Sequence, residues 1–96
     1  MVKTERFDAA RYLTSADSQA ELLNDALGTG DAGYVAHTLG VIARARGMTE
    51  VAREAGVTRE ALYKALSQHG DPRLTTLLGV ARALGVTLMA RIEPAE

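Results

Sequence analysis

The 96-residue sequence contains no cysteine and no tryptophan, and it has only two prolines, one phenylalanine and three tyrosines. The absence of cysteine excludes disulfides, cysteine-based zinc sites and thiol catalysis. No apolar run approaches the roughly 18 residues of a membrane span, and the start MVKTERFD lacks the apolar stretch of a signal peptide. We therefore expect one cytoplasmic domain without membrane association, whose core is built from Leu, Val, Ile and Ala.

The two parts of the chain differ in charge, although the formal net charge is only −1. Residues 1–33 carry three cations and six carboxylates, whereas residues 34–96 carry eight cations and six carboxylates. An acidic first third and a mildly basic remainder suggest two kinds of surface. Ordinary solvated surface charge explains the difference equally well, because so small an imbalance is common in globular proteins.

Residues that cap helices mark a series of short helices, which the abundance of alanine also favours. Asp8 is placed to cap a helix over residues 8–13, and Ser18 with Glu21 forms a capping-box pattern for the next helix. Later helices are predicted to begin at Asp31, Thr49, Thr58 and Asp71–Pro72 and to end at Gly47, Gly56 and Gly85.

The end of the sequence follows a different pattern. Val86, Leu88, Ala90 and Ile92 alternate with other residues, and this period of two predicts a β-strand over residues 86–93. A single strand has unpaired backbone groups. It would pair with the extended start of the chain, with a second copy or with another protein.

The segment 48–68 contains the strongest functional pattern. Two short helices, TEVAREA and TREALYKAL, are joined by Gly56-Val57-Thr58, and a turn of this length sets such helices roughly at a right angle. We predict that Leu62, Ala65 and Leu66 face the core. The residues left on the outer face of the second helix are Arg59, Glu60, Tyr63, Lys64 and Ser67.

An exposed helix with this set of side chains has the groups that read a DNA major groove. Arg59 can bond guanine in bidentate fashion, and Glu60 can accept from cytosine. Thr49 and Thr58 stand at helix starts, where hydroxyl and backbone N–H groups suit phosphate oxygens. The alternative is a solvated face on which Glu60 and Lys64 form an ordinary i,i+4 pair.

The same residues resemble known families. Residues 35–86 resemble a Cro/Xre-type helix-turn-helix domain. Residues 6–93 resemble the antidote (antitoxin) proteins of addiction modules through FDAARYL, ARARGMTEVAREAGVTREALYKALS and GDPRLTTLLGVARALGV. The resemblance implies a cytoplasmic bacterial or prophage protein that neutralises a small toxin and represses its own operon. It also implies recognition-helix roles for Thr58, Arg59, Glu60, Tyr63 and Lys64, and a phosphate contact by Thr49.

The pattern and the resemblance together predict an all-α fold, a five- to six-helix Cro/Xre-like domain. It comprises a helical extension over residues 1–30, a helix-turn-helix core over 31–85 and the C-terminal β-strand over 86–93. With a net charge of −1, a monomer would bind operator DNA weakly, because affinity grows with each phosphate neutralised. We therefore expect a homodimer on half-sites about 34–36 Å apart, held together by the strand or by an adjoining helix.

The acidic first third offers a second binding surface. We expect its carboxylates to complement a cognate small basic toxin protein, and the candidate residues are Glu5, Asp8, Asp17, Glu21 and Asp25. The alternative is that the first two helices merely cover the core of the helix-turn-helix domain.

An enzyme is not expected, because His37 and His69 have no further ligand at metal spacing and Gly28, Gly30 and Gly33 do not follow a strand. No cofactor or metal is therefore predicted. A free-standing prophage-type transcriptional regulator without a toxin partner remains the alternative to an antitoxin.

Overall fold

The computed structural model describes residues 15–95, which form five α-helices. They are α1 (Ala16–Thr29), α2 (Ala32–Arg46), α3 (Met48–Ala55), α4 (Arg59–Ala65) and α5 (Leu74–Leu84). The predicted all-α class is therefore confirmed. The predicted helix over residues 8–13, with its cap Asp8, lies outside the described residues.

The predicted C-terminal β-strand is wrong, since residues 86–95 contain no regular secondary structure. A strand needs a neighbouring strand to satisfy its backbone N–H and C=O groups, and residues 15–95 include none. The apolar side of the alternation is not buried either, because Leu88 is 38% exposed and Ile92 is 92% exposed. The period of two over residues 86–92 therefore does not correspond to a strand in the described part of the chain.

Two of the predicted helix starts are confirmed. The carboxylate of Asp31 accepts a hydrogen bond from the backbone N–H of Tyr34 at 3.2 Å and begins α2. The hydroxyl oxygen of Thr58 accepts from the N–H of Ala61 at 3.0 Å and begins α4. Both caps satisfy a first-turn donor that has no partner within its helix.

Three other predicted starts are displaced along the chain. The cap of α1 is Ser15, whose hydroxyl accepts from the N–H of Ser18, so the helix begins before the predicted capping box. Helix α3 begins at Met48 after Gly47, and α5 begins at Leu74 after Arg73. Thr49 therefore lies inside its helix, and Asp71–Pro72 lies in the preceding loop. A cap depends on backbone conformation as well as on residue type, which explains these shifts.

Within residues 15–95, one apolar core joins the five helices. Its largest fully buried side chains are Ile42, Val51, Leu62, Leu66 and Val80, which come from α2, α3, α4 with the residue after it, and α5. Helix α3 packs against α4 and α5, whereas α1 packs on α2. One side of α4 therefore packs on this core, and the opposite side of the helix is exposed to solvent.

Helix α2 approaches the end of α4 closely through two glycines. A Cβ atom built on Gly40 would lie 2.4 Å from the carbonyl oxygen of Leu66, and one built on Gly33 would lie 2.5 Å from that of Gln68. Only residues without a side chain allow this approach. The two glycines are seven residues apart, about two helical turns, so one side of α2 sets the position of the residues that follow α4.

Arg46 connects three helices. Its guanidinium donates to the carbonyl oxygens of Leu84 at 3.1 Å and Ala83 at 3.5 Å, and to the side-chain oxygen of Gln19 at 3.5 Å. The last carbonyls of a helix have no partner within it and carry partial negative charge. Arg46 at the end of α2 thus caps the last carbonyl groups of α5 and also hydrogen-bonds α1.

Candidate nucleic-acid interface

The turn between α3 and α4 is fixed by backbone hydrogen bonds. Gly56 has a left-handed φ of 76°, and its N–H points back to the carbonyls of Ala52 and Arg53. The N–H of Val57 donates to the carbonyl oxygen of Ala52 at 3.0 Å, and the half-buried Val57 side chain packs against the core. This is the pattern of a glycine-terminated helix, and it places Thr58 at the start of α4.

Helix α4 has a buried side and an exposed side. Leu62 and Leu66 are both 0% exposed, which orients the helix about its axis. The side chains that remain exposed on α4 include Arg59, Glu60, Tyr63 and Lys64. The structure therefore brings these four sequence-predicted residues together on the surface that faces away from the core.

Arg59 and Tyr63 form a pair on this exposed side. The guanidinium carbon of Arg59 lies 5.5 Å from the centroid of the Tyr63 ring, and one guanidinium nitrogen donates to the Tyr63 hydroxyl at 3.5 Å. An arginine over an aromatic face is attracted by the ring electrons. The contact restricts Arg59 before any ligand arrives. The i,i+4 spacing of the two residues is the sequence signal that could have predicted this pair.

Ser67 occupies a different place from the other candidates. It lies in the turn after α4 and is half-buried. Its hydroxyl donates to the carbonyl oxygen of Lys64 at 3.0 Å and accepts from the N–H of His69 at 3.3 Å. These contacts terminate α4 and use the hydroxyl within the protein.

Both threonines are exposed near the start of a helix. Thr49 is exposed in the first turn of α3, and Thr58 is exposed at the cap of α4. The oxygen of Thr58 accepts the N–H of Ala61, and a hydroxyl that accepts can still donate its hydrogen to another oxygen. Both residues can therefore donate to a phosphate without moving a helix.

The charged side chains of α3 pair with one another. Arg53 forms a salt bridge with Glu50 and lies 3.8 Å from a carboxylate oxygen of Glu54. The hydrogen bond from Arg53, together with its charge, lowers the pKa of Glu50 below its ordinary value, and the same contact raises the pKa of Arg53. Because Arg53 is engaged by its own helix, Arg59 and Lys64 are the cations of residues 48–67 that remain for an external anion.

The predicted acidic surface is described only in part. Asp17, Glu21 and Asp25 are exposed on α1 at intervals of four residues. Glu5 and Asp8 lie outside the described residues. Within residues 15–95 no three His, Asp or Glu side chains come together as a metal site would require. None of the described helices is long and apolar enough to cross a membrane.

Over residues 15–95, the fold and this surface define an all-helical unit with a short polar helix exposed after a glycine turn. The chain belongs to the family of probable addiction module antidote proteins, whose family model matches residues 3–92. It is also similar to an uncharacterized protein of Haemophilus influenzae, with 44% identity over 80 residues that span 83% of this chain and 82% of the relative. No solved structure matches the chain. The predicted resemblance to antidote proteins is thus confirmed.

Proposed function

We propose that this antidote-family protein neutralises a small toxin by direct binding and represses its own operon as a DNA-binding homodimer. In this proposal residues 31–85 act as a Cro/Xre-type helix-turn-helix domain in the cytoplasm. Family membership supports the antitoxin role over a free-standing prophage-type regulator. In this proposal α4 binds DNA, and a different surface binds the toxin.

The observation that carries the DNA-binding part is the exposure of Arg59, Glu60, Tyr63 and Lys64 on a helix whose other side is fully buried at Leu62. A helix presented in this way can enter a major groove, which is about 12 Å wide. In the proposed complex Arg59 bonds a guanine and Glu60 accepts from a cytosine, while Thr49 and Thr58 donate to phosphates.

A dimer is required because few cations are available for DNA. Each released counterion contributes to affinity, and non-specific binding with few phosphate contacts has a Kd of about 10⁻⁴–10⁻⁶ M. Two copies on neighbouring half-sites combine their contacts. Since the predicted strand is not formed, we propose helix α5 as the interface. Leu74 is 67% exposed and Leu78 is 45% exposed, one turn apart on that helix.

A mobility shift with DNA from upstream of the protein's own gene tests the proposal. The wild-type protein should bind this DNA and lose affinity steeply between about 50 and 200 mM salt. Arg59→Ala should cost about 1–3 kcal/mol and relax the preference at one base pair, because it removes a base contact. Thr49→Ala should weaken binding to all sequences alike, because it removes a phosphate contact.

Arg91→Ala is the matched control for Arg59→Ala. Arg91 is an exposed arginine in the segment after α5, where it pairs with Glu93 at 3.0 Å. Its loss changes net charge by the same amount without touching α4. Equal effects of Arg59→Ala and Arg91→Ala on every DNA sequence would contradict a reading role for α4.

A further inference from the structure

Two arginines on neighbouring helices are held by different kinds of partner. Arg53 on α3 pairs with the carboxylates of Glu50 and Glu54, which offset its charge. In the described part of the chain no carboxylate lies within salt-bridge distance of Arg59, and its guanidinium contacts the ring and hydroxyl of Tyr63 instead. An aromatic ring attracts a cation without neutralising it. The contact therefore restricts Arg59 and leaves its positive charge available to an external ligand.

The geometry of α4 favours this contact. Residues four apart are neighbours on a helix surface, and aromatic side chains on a helix lean towards its N-terminus. The Tyr63 ring therefore reaches over the turn that begins with Arg59, with its centroid 5.5 Å from the guanidinium carbon and its hydroxyl 3.5 Å from a guanidinium nitrogen. Leu62 and Leu66, both fully buried, fix the rotation of α4 and keep the pair on its exposed side.

The order of the two residues along α4 separates their roles. The N-terminal residues of a recognition helix are those that contact base edges, and Arg59 is the first residue of α4, whereas Tyr63 stands one turn later. Arginine has five N–H donors, so a bond to Tyr63 uses one and leaves enough for the two bonds to a guanine. Arg59 can thus contact Tyr63 and a base at the same time.

We propose that Tyr63 is a positioning residue, which holds the guanidinium of Arg59 in place for a guanine and strengthens the preference for that base pair; this inference rests on the proposed DNA-binding function. A free arginine side chain loses much rotational freedom when it forms two hydrogen bonds at once. The contact with Tyr63 removes part of that freedom in advance, so less is lost on binding. At an exposed site, such a cation–ring contact corresponds to about a two- to fivefold change in an equilibrium constant.

The test measures binding of the full-length chain to its own upstream DNA and to versions with one base pair substituted at a time. Arg59→Ala identifies the base pair that Arg59 reads. Tyr63→Leu should reduce the preference at that same base pair about two- to fivefold, because the ring contact is lost. Tyr63→Phe keeps the ring and should retain most of the preference, since the 3.5 Å hydroxyl contact is long for a hydrogen bond. Loss of folded structure would instead weaken binding to every sequence alike, and thermal unfolding of each variant measures it.

A double-mutant cycle separates positioning from a direct DNA contact. In the Arg59→Ala background, Tyr63→Leu should have no further effect on base preference, because no guanidinium remains to be positioned. Tyr34→Leu is the matched control. Tyr34 is 42% exposed on α2 and Tyr63 is 38% exposed, so the control makes the same change at a similar exposure and should leave every base preference unchanged.

Three results would overturn the proposal. If Arg59→Ala relaxes one base pair and Tyr63→Leu leaves that preference intact, Tyr63 does not position Arg59 and the DNA-binding function stands. If Tyr63→Leu weakens binding equally in the wild-type and Arg59→Ala backgrounds, Tyr63 contacts DNA itself. If the wild-type chain shows no preference for its upstream DNA, the proposed DNA-binding function and the positioning role fail together.

Discussion

Gly40 offers a direct test of how α2 positions the end of α4. In Gly40→Ala, the new Cβ would lie 2.4 Å from the carbonyl oxygen of Leu66 and 3.3 Å from its Cβ. Both positions depend on backbone, so a rotamer change cannot relieve the contact. Restoring an ordinary separation requires α2 and the Leu66 backbone to part by about 1 Å. That movement loosens the fully buried packing around Leu66 and Ile42.

The expected loss follows from two opposed effects. Alanine is better than glycine in a helix by about 1 kcal/mol, whereas overpacking a core costs about 1–3 kcal/mol, occasionally more. Because the contact here is with a backbone carbonyl, we expect the larger cost and a net destabilisation of about 2 kcal/mol. This corresponds to a fall in Tm of about 8–16 °C for a domain of this size. Circular dichroism during heating and urea unfolding, at one fixed protein concentration, measures both quantities.

Gly28→Ala is the matched control within the same chain. A Cβ on Gly28 meets nothing within 4 Å, and Gly28 lies in helix α1. The substitution should therefore be neutral or raise stability by up to about 1 kcal/mol. The reasoning is refuted if Gly40→Ala is as stable as wild type, or if Gly28→Ala and Gly40→Ala change Tm in the same direction by the same amount.

Two further substitutions test other contacts. Arg46→Met removes the hydrogen bonds to Leu84, Ala83 and Gln19, and urea unfolding should show a free energy of unfolding lower by about 1 kcal/mol. The control is Arg44→Met, at a neighbouring exposed arginine, which should leave the free energy of unfolding unchanged. Equal effects of the two variants would contradict the role of Arg46. Leu78→Glu should yield a monomer in light scattering and weaken operator binding, because it places a charge in the proposed α5 interface; an unchanged dimer would exclude that helix.

Local sequence was sufficient for the elements that carry the proposed DNA site. Asp31 and Thr58 cap their helices through hydrogen bonds to residues three positions ahead, and Gly56 ends α3 in a conformation that glycine adopts without strain. The inward side of α4 follows from the spacing of Leu62 and Leu66. These features depend on interactions within about one helical turn, which explains why residue types and spacing predicted them.

Contacts between segments that are distant in the sequence were determined by the tertiary structure. The alternation over residues 86–92 predicted a strand, but a strand also requires a partner that the described chain does not supply. Arg46 bonds residues 37 and 38 positions away, and Gly40 is constrained by Leu66 across the core. A groove between α1 and residues 85–89 likewise forms from segments at opposite ends of the described chain. Sequence spacing does not encode such contacts, because they depend on which helices share a core and how closely their backbones approach.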